Sequence, residues 1–251
     1  MNSKAPVFGR RAVALSYGLT CHMIFFASVS LMIWHMFFGM SKSLGGLHAP
    51  WSWVANAVLL AQFPLAHSFL LSAKGRGMLK RFAPAAFASD LSTTTYVIIA
   101  SFQVLLLFNC WTFSGVIWWQ AAGFSLAVLV ALYAASWLLL GLAILNAGIG
   151  LQSGFMGWWA VLRNRKPVFP GMPMRGLFSW CRQPIYVAFA CTTWTVPNWT
   201  PDQLVIAVTL SAYCLIGPLF KEARFRKIYG EAFIAYQKTI PYWLPFPRKK
   251  P

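Results

Sequence analysis

The feature that most restricts how this chain can fold is a set of long apolar runs almost free of charge. Residues 116–145 contain no Asp, Glu, Lys or Arg. Crossing roughly 30 Å of hydrocarbon takes about 20 mostly apolar residues. Six stretches qualify as candidates: about 12–40, 51–73, 93–113, 116–145, 184–199 and 203–220. The fifth is short and bounded by Pro184 and Pro197, so it also reads as one arm of a tight helical hairpin with the sixth, turned by Pro197, Asn198 and Pro201. Composition agrees, with 59% hydrophobic, 17% aromatic and 10% charged residues, far from a soluble average. The expected fold class is all-α: a polytopic membrane protein of about six transmembrane helices, with a C-terminal helical hairpin and an amphipathic cytoplasmic helix.

A net charge of +17 raises the question of nucleic acid, and the placement of the cations answers it. Lys4, Arg10 and Arg11 precede the first run, and Lys74, Arg76, Lys80 and Arg81 follow the second. Arg163, Arg165, Lys166, Arg175 and Arg182 lie between the fourth and fifth, and the remainder follow the sixth, leaving Lys42 alone on the other side. By the positive-inside rule both termini and both long basic loops are cytoplasmic. The expected location is a bacterial inner membrane, with membrane lipids rather than nucleic acid as partners and attraction to anionic lipid as a secondary effect. The first run, with no small-residue cleavage site, reads as a retained span rather than a signal peptide.

The five cysteines show no C-x-x-C spacing, so neither a disulfide framework nor a zinc site is indicated, and no metal is expected. His22, His35 and His67 lie within spans, where paired histidines can hold haem. His22 and His35 sit about 220° apart around a helix and roughly 20 Å apart along it, so they cannot share one haem. Histidines bonded to a neighbouring helix are the commoner case.

The chain changes character after residue 145. An N-terminal four-span bundle, residues 1–145, gives way to a C-terminal region, 146–251, that holds most of the charged chemistry, including three of the four acidic residues, Asp202, Glu222 and Glu231. Between Lys221 and Lys238 the apolar positions Phe225, Ile228, Tyr229, Ala232, Phe233 and Tyr236 recur at steps of three or four, which predicts an amphipathic helix at the membrane surface or capping the bundle.

This C-terminal third resembles the isoprenylcysteine carboxyl methyltransferase family, and in particular its bacterial methanethiol S-methyltransferase-like group. The family's R-H-P-x-Y has its counterpart in Arg182, Gln183, Pro184, Ile185 and Tyr186. Its E-E-x-x-L corresponds to Lys221, Glu222 and Phe225. An aromatic-Gly-E-A-Y-x-x-Y stretch corresponds to Tyr229, Gly230, Glu231, Ala232, Phe233 and Tyr236, and V-P-x-x-x-P to Ile240, Pro241 and Pro245. Weaker similarity to the methanethiol-type group extends through "AHSFLLSAKGRGMLKRF" and "TTTYVIIASFQVLLLFNCW".

The resemblance implies an integral-membrane methyltransferase that uses S-adenosylmethionine and acts on a thiol or a small or lipidic apolar acceptor. It implies cofactor binding by Arg182, Gln183, Pro184, Tyr186, Glu222, Tyr229 and Tyr236, and catalysis by Tyr186 and Glu222. The cofactor carries a carboxylate, an ammonium and a sulfonium, so a pocket wants a cation, an anion and aromatic surface; Arg182, Glu222 and Tyr186 supply one of each. The chain departs from the family at Gln183, where the pattern has His, and at Lys221, where it has Glu. Gln keeps a donor and an acceptor and cannot titrate.

Each residue also has a plainer reading. Arg182 can be an interfacial anchor, Tyr186 an aromatic-belt residue, and Glu222 an exposed partner of Arg226 four residues on. Two other classes stay open: a catalytically silent accessory subunit of a membrane complex with other membrane subunits as partners, and a transporter, against which stands the scarcity of charge inside the spans.

Overall fold

The computed structural model describes residues 7–244. Lys4, Pro245, Arg248, Lys249, Lys250 and both chain ends, which carry part of the topological expectation, lie outside them. Regular structure among the described residues is helical apart from one pair of two-residue strands and an isolated bridge between Gly45 and Thr112. It contains α1 (Val7–Phe37), α2 (Trp51–Leu70), α3 (Ala73–Leu79), α4 (Ser92–Asn109), α5 (Gly123–Ala147), α6 (Ile149–Gln152), α7 (Phe155–Leu162), α8 (Pro184–Trp194), α9 (Pro201–Tyr229) and α10 (Glu231–Thr239), with β1 (Trp119–Gln120) and β2 (Asn198–Trp199).

Five described helices are long and apolar enough to cross a membrane: Gly9–Phe37, Trp51–Leu70, Ser92–Asn109, Gly123–Ala147 and Pro201–Tyr229. These are the first four expected spans and the sixth. The expected fifth, 184–199, is the 11-residue α8, about 16 Å long and too short to cross on its own. It packs antiparallel against the 29-residue α9, which is the hairpin arrangement.

The chain folds as two compact units with interleaved segments. One unit takes the chain up to His35, residues 43–112 and 149–170. The other takes residues 36–42, 113–148 and the chain from Gly171 on, so α5 groups with the C-terminal region.

In the first unit, α7 packs closely on its neighbours because its glycines permit it. A Cβ at Gly157 would lie 2.5 Å from Thr94 Oγ1. The Thr94 hydroxyl donates to Gly154 O at 2.8 Å and accepts from Trp158 N at 3.0 Å, so one side chain satisfies the start of α7. His22 Nε2 accepts from Trp158 Nε1 at 3.1 Å, and the Tyr96 hydroxyl bonds the His67 ring at 2.7 Å. Both histidines thus have partners on neighbouring helices.

In the second unit, the turn between α8 and α9 is fixed from several directions. β2 pairs antiparallel with β1, Trp119 opposite Trp199. Asn198 Nδ2 donates to Phe37 O at 2.7 Å, and the Thr200 hydroxyl donates to Gly39 O at 2.6 Å. Thr200 also caps α9 by accepting from Gln203 N at 2.9 Å, with Pro201 following at the first helical position, where its missing N–H has no cost. At the other end, Asn146 Oδ1 accepts from Leu177 N at 2.8 Å, docking the 3₁₀ turn Gly176–Ser179 against the end of α5.

The amphipathic stretch expected over Lys221–Lys238 is broken in two. Gly230 has φ +53°, a conformation that side-chain-bearing residues adopt only under strain. Its N–H still closes α9 on Arg226 O at 3.0 Å. The turn folds α10 back so that Phe233 meets Phe225, ring centroids 5.6 Å apart.

Candidate active site

Four side chains form one hydrogen-bonded chain at the start of α8. Pro184 occupies the first position of α8, where its fixed φ favours initiation, and this puts Arg182 and Gln183 immediately before the helix, facing α9. Arg182 Nε donates to Glu222 Oε1 at 2.8 Å and Nη2 to Oε2 at 3.3 Å. Gln183 Nε2 donates to Glu222 Oε1 at 2.8 Å, and Gln183 Oε1 accepts from Lys221 Nζ at 2.7 Å. Only this orientation of the amide satisfies both neighbours, a donor toward the carboxylate and an acceptor toward the ammonium.

Arg182 and Glu222 are saturated by the protein. Arg182 Nη1 donates to Gln237 O at 3.1 Å and Ile240 O at 2.6 Å, and its backbone N–H donates to Pro241 O. Glu222 accepts a further bond from Gln237 Nε2, which brings its donors to four, about what a carboxylate can accept. Arg182 is 9% exposed and Glu222 2%. The pair therefore ties α8, α9 and the end of α10 together. The solvated Glu222–Arg226 pairing is replaced, since Arg226 Nε donates to Gln237 Oε1 at 3.0 Å.

Lys221 differs. Its ammonium makes one hydrogen bond, to Gln183, and otherwise faces rings: Nζ lies 5.3 Å from the Tyr186 centroid and 5.6 Å from Phe225, within cation–π range. The cleft it faces is bounded by Met172, Pro173, Phe178, Phe225, Phe233 and Tyr236, together with Arg182 and Gln183. Its free volume is about 10 Å³, room for a single water.

The remaining expected residues divide. Tyr236 lines the cleft and donates its hydroxyl to Phe178 O at 2.6 Å; burial pushes its phenol well above the ordinary value. Tyr186 contributes the ring beneath Lys221. Tyr229, at the last turn of α9, stacks edge-on against Phe225 at 5.2 Å and is not among the cleft-lining residues. Sequence reasoning missed Gln237, Tyr242, whose ring lies 5.5 Å from the Arg182 guanidinium, and the carbonyls of Ile240 and Pro241. Backbone acceptors leave no compositional signal, and Gln237 reads as an ordinary polar residue of an amphipathic helix. Burial pushes the Cys181 thiol up, against a weaker opposing pull from the Gln183 backbone and Lys221, so it is not a poised nucleophile.

No family model matches the chain, and no solved structure matches it. Curated relatives do. A methanethiol S-methyltransferase of Pseudomonas sp. (strain GM41(2012)) is 26% identical, covering 95% of this chain and 92% of the relative. One from Mycobacterium tuberculosis is 28% identical over 78% of this chain and 79% of the relative. Methanethiol S-methyltransferase 1 of Bradyrhizobium diazoefficiens is 23% identical over 94% of this chain and 83% of the relative. The chain is thus similar, along most of its length, to proteins that carry the methanethiol S-methyltransferase name, in agreement with the resemblance seen in its C-terminal motifs.

Proposed function

We propose that this protein is an integral-membrane methyltransferase that transfers a methyl group from S-adenosylmethionine to a thiol. The observation that carries this reading is the cleft around Lys221: a single ammonium over two aromatic rings, backed by a closed Arg182–Glu222 pair, in a chain similar to thiol methyltransferases. The donor set fits the cofactor. Lys221 offers a cation for its carboxylate. Gln183 Oε1, released when Lys221 turns to that carboxylate, offers an acceptor for its ammonium. Tyr186, Phe225, Phe233 and Tyr236 offer π surface for a sulfonium.

In this division of roles Arg182 and Glu222 position Gln183 rather than bind the cofactor. With a free volume of about 10 Å³, the cleft would have to widen for the cofactor to enter, since ligand pockets measure roughly 300–1,000 Å³. When bound, S-adenosylmethionine supplies an electrophilic methyl group on a positive sulfur. The protein aligns the acceptor sulfur with it, excludes water with its rings, and holds the donor by its charged end. Among the described lining residues none is an imidazole or an unspent carboxylate, and the Tyr236 phenol is held neutral. Proton removal from the acceptor therefore falls to solvent, and the thiolate is the reacting species.

The test is calorimetric titration of S-adenosylmethionine and of its demethylated product into detergent-purified protein, followed by transfer of a labelled methyl group to methanethiol and to longer thiols. Binding and transfer to a thiol support the reading. Absence of binding removes it and leaves the silent accessory reading, which the saturated ion pair and closed cleft favour.

A further inference from the structure

The first unit holds a cavity of about 560 Å³, within the size range of ligand pockets, roughly 300–1,000 Å³. It lies among the N-terminal part of α1, the end of α2 and the start of α4, and its lining includes Phe69, Leu70, Met78, Ile98 and Ile99, with Thr20 and Thr95. One side is formed by α3 and the following 3₁₀ turn Lys80–Phe82. The Tyr17 hydroxyl donates to Phe82 O and ties that turn to α1.

The segment that closes this side is strongly basic. Lys74, Arg76, Lys80 and Arg81 are all exposed. Arg76 Nη1 donates to Leu71 O at 3.0 Å, and among the described residues none of the four is ion-paired. Asp90, the acidic residue of this unit, pairs with Lys166 at 3.1 Å. The cations are held in place by a tight join between α2 and α3: a Cβ at Gly75 would lie 2.1 Å from Phe69 O, and Ser72 caps α3 by accepting from Gly75 N at 3.1 Å. An apolar groove between membrane helices, with Arg76 and Lys80 two residues either side of the lining Met78 and no carboxylate to neutralise them, is complementary to a molecule with an apolar tail and an anionic head. Basic clusters next to a span attract anionic headgroups by about fivefold per cation.

We propose that this groove and its rim bind one anionic phospholipid, with an acyl chain lying along Phe69, Ile98 and Ile99 and the headgroup phosphate held by Arg76 and Lys80. The site rests on the membrane reading and not on the catalytic one, because its readout is lipid retention.

Native mass spectrometry of the full chain, purified in detergent and exposed to equal amounts of phosphatidylglycerol and phosphatidylcholine with identical chains, tests it. The expected result is one retained phosphatidylglycerol, favoured at least tenfold. Arg76→Gln with Lys80→Gln should lower its affinity about thirtyfold, about fivefold for each cation, and leave phosphatidylcholine unchanged. Ala66→Phe, or Ile99→Phe if the first does not melt cooperatively, should fill the groove and lower retention of both lipids. Equal retention of the two lipids overturns the proposal, as does a preference untouched by the charge substitutions. Retention unaffected by groove filling reduces the site to surface attraction and overturns it as well. Displacement of the lipid by a long-chain thiol, without headgroup preference, assigns the groove to an acceptor instead.

Discussion

Arg182 and Glu222, 40 positions apart in sequence, meet through two hydrogen bonds of 2.8 and 3.3 Å in a setting where both are buried. Both carboxylate oxygens of Glu222 and the Nε and Nη2 donors of Arg182 are engaged within the protein, although Arg182 also borders the cleft. A charge pair of this kind is costly to break from one side, because the surviving partner stays buried without compensation.

Glu222→Gln should therefore destabilise the protein by about 3–5 kcal/mol, read as a lower melting temperature in detergent. Arg182→Lys should also melt early, because an ammonium cannot reach the carboxylate and the Gln237 and Ile240 carbonyls at once. A wild-type melting temperature for both, with only ligand affinity reduced, would return Arg182 to direct cofactor binding.

Lys221 should behave in the opposite way. Lys221→Met keeps the stem that packs on Tyr186 and Phe225 and removes the charge, so melting should change little. Affinity for S-adenosylmethionine should fall about ten- to a hundredfold, the value of a charged hydrogen bond of roughly 1.5–3 kcal/mol. Calorimetry checks this, and unaltered affinity would take Lys221 out of the binding set.

Gly230→Ala isolates the break between α9 and α10. Nothing lies within 4 Å of a Cβ at that position, so the substitution meets no clash and acts through the backbone alone. At φ +53° and ψ −130° the cost is about 1–3 kcal/mol. Faster amide exchange across α10, with α5 and α8 unchanged, is the expected signature.

For topology, single cysteines at Gly115 and Gly46, in a Cys110→Ser background, should label from one side of the membrane, and cysteines at Asn164 and Lys227 from the other. Labelling of Gly115→Cys and Lys227→Cys from the same side would contradict the positive-inside orientation.

The sequence made the long helices legible because their signal is local: a window of about 18 predominantly apolar residues suffices, although Pro201, read as part of the hairpin turn, is the first residue of α9. It also grouped Arg182, Gln183, Tyr186 and Glu222 by motif. It was silent on their partners, since whether Glu222 faces Arg226 on its own helix or Arg182 across the hairpin depends on tertiary packing. The span expected at 184–199 failed on length for the same kind of reason: Thr195 and Val196 continue the apolar run after the helix has already ended at Trp194. The break at Gly230 was readable in principle, because a glycine between Tyr229 and Glu231 is a stop signal that the apolar periodicity overrode.

Because α9 is continuous from the Thr200 cap to Lys221, it acts as a ruler. One end is pinned where Thr200 meets Gly39, and the ammonium is delivered roughly 30 Å further along the axis. One residue added between them would advance Lys221 by only about 1.5 Å but rotate it about 100°, away from Gln183 and the two rings. Substitutions along this stretch of α9 are constrained one by one according to what they touch, whereas its length is constrained as a whole, and a single insertion or deletion should dismantle the cleft while leaving every side chain that builds it present in the chain.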